Sequence, residues 1–323
     1  MNTIVVTGAA GFLGSHLVEK ACSTGNKVIG IDNFSTGQRK NVLELQKSIS
    51  DGFHFIEGDA TNTETWKSVS LASSGSSIKT VFHFASPASP PHYQRLGLET
   101  MWVNSIGLKN ALEFADHAGG RVVFASTSET YGDPLISPQP ESYFGNVNTQ
   151  GPRACYDEAK RFGEALIFTH NKLNKTNHGI VRIFNTYGPR MNPEDGRVII
   201  NFLVQGMKAN SLSVYGDGTQ TRSFCYVDDL VSAIWKFHET KELGPVNIGN
   251  DKEFTILELA KEVQGLFPAS KLDLEFHPLP ENDPKKRRPD LTLARMILSP
   301  WAPKVSLGEG LRMMLDWLQG EAL

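Results

Sequence analysis

The chain of 323 residues carries only three cysteines, Cys22, Cys155 and Cys225, odd in number and far apart. That usage excludes a disulfide-stapled domain and a zinc site, both of which need closely placed ligands or pairs, and it suits a reducing compartment. No uninterrupted apolar run approaches the ~20 residues that a membrane-spanning helix requires. Neither sign of charge dominates: Lys and Arg number 32, Asp and Glu 35, for a formal net charge of −3. The one dense basic run, Lys285-Lys286-Arg287-Arg288, is too short to line a nucleic-acid groove, although it suffices to meet phosphates on a smaller ligand. Internal repeats and low-complexity tracts are missing, and the first strand pattern begins at Thr3, which leaves no room for a signal peptide or anchor. The expectation is a cytoplasmic protein with neither nucleic acid nor membrane as partner, its hydrophobic content of 40% sufficient for a substantial core in one or two joined domains.

What is present begins with Thr3-Ile4-Val5-Val6-Thr7, a β-branched run feeding into Gly8-Ala9-Ala10-Gly11-Phe12-Leu13-Gly14 and then a helical pattern. A strand, a glycine-rich turn and a helix start supply close backbone approach, free N–H groups and a favourable dipole, as a dinucleotide pyrophosphate needs. Gly8, Gly11, Phe12, Leu13 and Gly14 are therefore candidate cofactor contacts. A second strand, Lys27 to Ile31, ends in Asp32, whose carboxylate accepts ribose hydroxyls and repels a 2′-phosphate, which favours NAD over NADP. Asn33 and Phe34, directly after it, join the same candidate set.

Strand patterns at Thr3–Val6, Lys27–Ile31, Phe53–Ile56, Val81–Phe84, Val122–Ala125 and Ile180–Phe184 alternate with helical segments. This alternation predicts an α/β fold, a Rossmann-type doubly wound parallel sheet with helices on both faces, and ligands beyond the carboxyl ends of its strands. Asp59, Ala85, Thr127, Ser128, Glu129 and Asn185 fall at such ends. Asp59 is placed to meet an adenine amino group or to cap the next helix. Glu129 reads as a functional carboxylate or an ordinary strand-end one. Ser70 to Ser77 reads as a surface loop.

Beyond about residue 189 the elements shorten and Gly and Pro increase, which predicts a smaller α/β substrate domain. The expected division is a cofactor domain over 1–188, with a segment near 225–250 returning to it, and a substrate domain mainly over 189–323. Helices are expected over Val198 to Met207, Val227 to about His238, Thr255 to Leu266 and Leu307 to Leu318, with Thr255 and Ser306 as caps, and strands at Leu212 to Tyr215 and Arg222 to Tyr226. Arg222 suits a diphosphate through its guanidinium fork, and Tyr215 suits a base or ribose, unless both are structural.

In Gly151-Pro152-Arg153-Ala154-Cys155-Tyr156-Asp157-Glu158-Ala159-Lys160 a tyrosine precedes a lysine by four residues at an expected helix start. The pair shares a helix face, and a neighbouring ammonium favours the phenolate, so Tyr156 is expected to have a lowered pKa and to accept a substrate proton. Cys155 beside it reads as a small packing residue.

With Gly8-x-x-Gly11-x-x-Gly14, Tyr156-x-x-x-Lys160 and Asn185-x-Tyr187-Gly188-Pro189-Arg190, the chain resembles the extended short-chain dehydrogenase/reductase family over essentially its whole length. Within it, six stretches are similar to the UDP-glucuronate decarboxylases: Ala85 to Pro91, Ser126 to Glu129, Gly151 to Lys160, Asp195 to Val198, Gln220 to Phe224, and Lys286 to Asp290. The resemblance implies a lyase that uses tightly bound NAD and no metal, converts UDP-glucuronate to UDP-xylose through a 4-keto intermediate, and forms a homodimer through helices around Leu96–Ala118 and Ala154–Leu173. It implies that Tyr156 and Lys160 act on the sugar 4-hydroxyl and the nicotinamide ribose. Ser128 and Thr127 would stabilise an enolate, Glu129 would handle a proton or water near C5, and Arg287 would lie near the carboxylate and diphosphate. Asn185, Arg197, Val198, Tyr215, Gln220 and Arg222 are the implied substrate contacts. One departure stands in Thr100-Met101-Trp102-Val103-Asn104, where many such decarboxylases carry a lysine in place of Trp102; a helical Trp is most often core or interface. A 4-epimerase or dehydratase of the same family, or a non-catalytic NAD-binding sensor, are the competing readings. Ser128 lacks the acid that a dehydratase needs.

Overall fold

The computed structural model describes residues 2–49, 51–279 and 286–321. Lys285 of the basic run lies outside them. Six strands, β1 (Asn2–Thr7), β2 (Lys27–Asp32), β3 (Phe53–Glu57), β4 (Ser77–His83), β5 (Arg121–Thr127) and β6 (Gly179–Ile183), join the strand Val246–Ile248 in a seven-stranded sheet. Every pairing in it is parallel, and the order runs from Val246–Ile248 through β6, β5, β4, β1 and β2 to β3. The chain order reverses between β1 and β4, the switch point at which a crevice opens beyond the strand ends.

The β1 run is apolar throughout because both faces of the sheet are covered. Ile4 and Val6 point into one core with Leu17, Val18, Phe82 and Val123, whereas Val5 points into the other with Ile29, Trp66, Val81, Leu112 and Phe124. The first of these cores continues without a break into the C-terminal part, through Ile200, Phe202, Leu203, Leu230, Ile234 and Leu311. Helix Val227–Glu239 packs there beneath the sheet, its Trp235 ring stacked 6.3 Å from that of Phe82.

The C-terminal part holds helices Val198–Met207, Ile256–Leu266 and Leu307–Gly320 with three small sheets. Thr255 forms a capping box with Glu258, and Ser306 accepts the Glu309 N–H. The expected strand from Arg222 to Tyr226 is two strands that change partners at Phe224. Thr221–Ser223 lies between Glu253–Thr255 and Lys286–Arg287, while Cys225–Tyr226 pairs with Thr186–Tyr187. The parallel pair of Leu212–Tyr215 with Leu274–His277 has one unforeseen member, since the second run alternates weakly. Ser70 to Ser77 is a loop only in part: Ala72 still closes helix Thr63–Ala72 and Ser77 opens β4.

The segment Leu96 to Ala118 is not one regular helix. Gly97–Trp102 passes into a π-helical turn, Val103–Gly107, before Leu108–His117. The Val103 carbonyl meets the His83 ring nitrogen at 3.0 Å, and the Asn104 amide donates to Thr100 O at 2.8 Å and to Ser86 Oγ at 2.9 Å. These bonds take up polar groups that a regular turn would use, and π turns concentrate at functional sites. Among the described residues no helix is long and apolar enough to cross a membrane.

Candidate active site

A cleft of about 660 Å³ opens at the carboxyl ends of β1, β2, β4, β5 and β6. At its floor Gly8 holds φ +75°, and a Cβ there would meet Ala85 N at 2.9 Å. A Cβ on Gly14 would come within 1.9 Å of Gly8 O, so the helix Phe12–Ser23 lies directly on the turn. No side chain caps that helix start, where Gly11, Phe12 and Leu13 face the cleft. This cradle and an open helix N-terminus fit a dinucleotide pyrophosphate.

Asp32 ends β2 on the cleft wall, its Oδ2 accepting Ala10 N–H at 3.0 Å and its Oδ1 accepting Phe34 N–H at 2.7 Å. Burial raises its pKa, and the two N–H bonds pull it back. Each oxygen keeps acceptor capacity for a ribose hydroxyl. Asn33 and Asp59 both line the cleft and bond each other at 2.9 Å. Asp59 accepts from Thr61 rather than capping the next helix, a role that Asn62 takes. Phe34 departs from expectation. At φ +58° its ring turns to Phe55 and lies 4.0 Å from the Arg39 guanidinium, and the residue is not part of the cleft lining. Ala85 does line the cleft, where its N–H and that of Phe84 donate to Thr7 Oγ1 at 3.1 Å.

Tyr156 and Lys160 stand on the first turns of helix Ala154–Asn174, both buried and both lining the cleft. The Lys160 ammonium donates to Ala125 O at 2.7 Å and lies 5.7 Å from the Tyr156 ring centroid. Burial pushes the Tyr156 phenol up to about 12, only partly offset by a hydrogen bond with the Thr127 side chain, and it lowers Lys160 to about 7. The expectation of a lowered tyrosine pKa is thereby reversed: desolvation acts on both partners and favours the neutral pair. Tyr93 stacks on Tyr156 with centroids 5.0 Å apart and planes 8° from parallel.

Thr127 and Ser128 close β5 beside them, and the Thr127 hydroxyl accepts the Glu129 N–H at 3.2 Å. Glu129 is clamped between two arginines. Arg287 forks onto both carboxylate oxygens, the Nη2 arm at 2.6 Å, and Arg153 Nη2 reaches Oε2 at 2.5 Å. Burial would raise the Glu129 pKa, but the two guanidiniums outweigh it and hold the group well below the usual carboxylate range. Arg287, 4% exposed, is thus no solvated member of a basic run. The fold also places it in register with Arg222 on the neighbouring strand.

Arg222, Asn185, Arg197, Val198, Tyr215 and Gln220 all line the outer cleft. Arg197 is paired with Asp195 at 2.5 and 2.8 Å, Gln220 donates to Tyr215 O at 2.6 Å, and the Tyr215 ring is 5.5 Å from that of His277. Arg153, Tyr93 and Met191 line the cleft without having been singled out. Arg153 carried a signal, an i,i+4 spacing to Asp157 at a helix start; Tyr93 and Met191 carried none. Trp102, half-exposed on the cleft wall, is not core.

A doubly wound sheet, a glycine cradle at its switch point and a Tyr/Lys pair across the cleft define an NAD-dependent enzyme of the sugar-nucleotide type. Residues 4–249 match the model of the NAD dependent epimerase/dehydratase family, and the chain belongs to that family. It is similar to UDP-glucuronic acid decarboxylase 2 of Arabidopsis thaliana, 45% identical over 312 residues that cover 97% of this chain and 67% of that protein. UDP-glucuronic acid decarboxylase 1 of Danio rerio is 41% identical over 318 residues, covering 98% of this chain and 73% of that one. Among solved structures, UDP-glucuronic acid 4-epimerase of Bacillus cereus, in complex with UDP-glucuronic acid and NAD, superposes with a TM-score of 0.86 at 27% identity, over 99% of both chains. UDP-glucose 4-epimerase of Thermotoga maritima superposes with a TM-score of 0.89 at 28% identity, over 99% of this chain and all of that one.

Proposed function

We propose that this protein decarboxylates UDP-glucuronate to UDP-xylose. The observation that carries the reading is the Glu129 clamp. Two guanidiniums, Arg153 and Arg287, converge on the Glu129 carboxylate beside Tyr156, cationic donors placed where an acidic sugar would bring its own carboxylate. Gly8, Gly11, Phe12, Leu13 and Gly14 would hold the cofactor pyrophosphate, Asp32 the adenosine ribose, Asn33 and Asp59 the adenine end, and Ala85 and Lys160 the nicotinamide half. NAD, when bound, supplies the acceptor for a hydride from sugar C4 and later returns it.

Tyr156 takes the proton of the C4 hydroxyl as a phenolate. The buried phenol does not ionise unaided at neutral pH; the Thr127 hydrogen bond and the Arg197 guanidinium favour the anion, and Lys160 adds to them when it is protonated. A ketone at C4 turns the sugar carboxylate into a β-keto acid, whose carbon dioxide leaves as the electron pair enters an enolate. The Tyr156 phenol, now protonated, and the hydroxyls of Ser128 and Thr127 donate to the enolate oxygen, and Glu129, kept ionised by its two arginines, handles the proton or water that protonates C5. Arg222 pairs with the diphosphate, Tyr215 and Gln220 meet the base and its ribose, and Asn185, Arg197, Val198 and Arg287 complete the sugar pocket.

The same reading takes residues 1–188 with the 225–250 segment as the cofactor domain, the rest of 189–323 as the substrate domain, the working form as a homodimer, and the cytoplasm as its location. Trp102 favours a second reading, a 4-epimerase acting on a non-acidic sugar, because it stands on the cleft wall where a lysine would attract a carboxylate. Incubation with UDP-glucuronate without added reductant, followed by carbon dioxide release and NMR of the sugar, separates the two. Carbon dioxide with UDP-xylose is expected. Unchanged UDP-glucuronate alongside turnover of a neutral UDP-hexose would overturn the decarboxylase reading.

A further inference from the structure

Arg153 faces two carboxylates. Its Nη2 lies 2.5 Å from Glu129 Oε2, and its Nε lies 4.0 Å from Asp157 Oδ2, one helical turn along. Asp157 is 5% exposed, and its Oδ1 has no hydrogen-bond partner among the described residues. It takes no part in the cleft lining. An anion buried in this way is costly, and the protonated acid costs less. The groups that act on it are Arg153, Cys155, Tyr156 and Glu158 of its own helix region, Glu129 at the end of β5, Arg287 of the C-terminal sheet and Tyr93 from the segment after β4.

Among the described residues, with both carboxylates ionised, Glu129 and Asp157 balance Arg153 and Arg287. An acidic substrate adds one negative charge to this enclosed set. We propose, resting on the decarboxylase reading, that Asp157 is a positioning residue: with Glu129 it shares the Arg153 guanidinium, and the pair takes up one proton when an acidic sugar nucleotide binds. Two carboxylates on one guanidinium titrate as a unit, so the proton belongs to the pair. When Asp157 ionises and holds Arg153, only Arg287 remains on Glu129, which then relays the proton toward C5. The bond from C5 to the carboxylate breaks, its electron pair passes to the C4 ketone as an enolate, and carbon dioxide leaves. The relayed proton then forms the new C5–H bond as the ketone is restored, and the pair takes up its next proton from solvent when another acidic substrate binds. Decarboxylation consumes one proton, and this arrangement stores it before the step that needs it. Burial, which raises the Asp157 pKa, works in the same direction.

The test uses NAD-loaded Tyr156→Phe protein, which binds without turnover, in weakly buffered solution at pH 8 with a pH indicator. Binding of UDP-glucuronate, followed in parallel by calorimetry, is expected to take up about one proton per site, and binding of UDP-xylose, which has no carboxylate, none. Adding Asp157→Asn is expected to abolish the uptake. Infrared difference spectra of the protein without the second substitution give an independent readout, a protonated carboxyl band that appears with UDP-glucuronate only. Binding without uptake, uptake that persists in Asp157→Asn, or absence of the carboxyl band would each overturn the inference and leave the decarboxylase reading standing. Failure of UDP-glucuronate to bind would overturn both.

Discussion

At the scale of single residues, the decisive fact is how burial redistributes charge around Tyr156. The phenol stays protonated in the ligand-free fold, so its role in proton transfer depends on what enters the cleft. Tyr156→Phe removes only the hydroxyl and keeps the ring stacked on Tyr93, so NAD should remain bound while turnover falls by about 10²–10⁴-fold. Cofactor retention by fluorescence and product formation by NMR check the two halves, and unreduced turnover would remove Tyr156 from the chemistry. Glu129 makes a prediction about stability. Its pKa is depressed in the folded state, so the unfolded chain binds more protons in acid. The clamp's contribution is thus complete above the ordinary carboxylate range, near 4.5, and is lost as pH falls below it toward the depressed folded value. Glu129→Gln leaves two buried guanidiniums without their anion and should cost about 3–5 kcal/mol at pH 7. In urea titrations the gap between parent and variant should narrow as pH drops from 5 to 3; a constant gap across that window would mean that the carboxylate is not held as an ion pair.

At the scale of elements, the turn between β1 and its helix leaves no room for a side chain. Gly14→Ala would press a methyl group to 1.9 Å from Gly8 O and force helix and turn apart. Loss of NAD affinity of at least about tenfold is expected, one lost contact of roughly 1.4 kcal/mol, and unchanged affinity in calorimetry would show that the pyrophosphate lies elsewhere. Thr255, which bonds Glu258 in both directions, heads an amphipathic helix distant from Tyr156 in sequence. Thr255→Ala should lower stability by about 1 kcal/mol, as lost N-caps do, measured as a shift of the urea midpoint without a change in slope. These elements were legible in the sequence because their signals are local: a glycine spacing, a cap three residues before its glutamate, a tyrosine one turn before a lysine. Non-local pairing was not legible. Arg222 and Arg287 become neighbours only because two short strands meet across a stretch of more than sixty residues, and Arg153 joins Glu129 from another loop. The π turn at Val103–Gly107 escaped for a related reason, since His83, which bonds its carbonyl, comes from β4. Phe34 misled because a positive φ, not residue type, sets the direction of its ring.

At the scale of the whole molecule, one face remains unaccounted for by the chain's own packing. Gly97–Trp102 and Ala154–Asn174 pack against each other, yet Leu98 and Met101 on the first, Ile106 on the π turn that follows it and Phe162 on the second are exposed. Exposed apolar side chains gathered on neighbouring elements mark interaction surfaces. A second copy placed by a two-fold axis would bring the same two helices into contact and bury this row against itself, which is the isologous arrangement that symmetric dimers use. Both helices also carry cleft residues, Trp102 on one and Tyr156 with Lys160 on the other, so a dimer through this face would stiffen the wall that holds the reacting groups. The expected outcome is a dimer of the parent protein by analytical ultracentrifugation, and a monomer when Met101→Glu and Phe162→Glu are combined, because two charges desolvated per protomer outweigh the apolar contact. The monomer should keep its far-ultraviolet circular dichroism, since neither side chain is buried in the isolated chain, but turnover should fall as the helices loosen. A parent that sediments as a monomer at micromolar concentration would refute the dimer and leave the exposed row to a different partner.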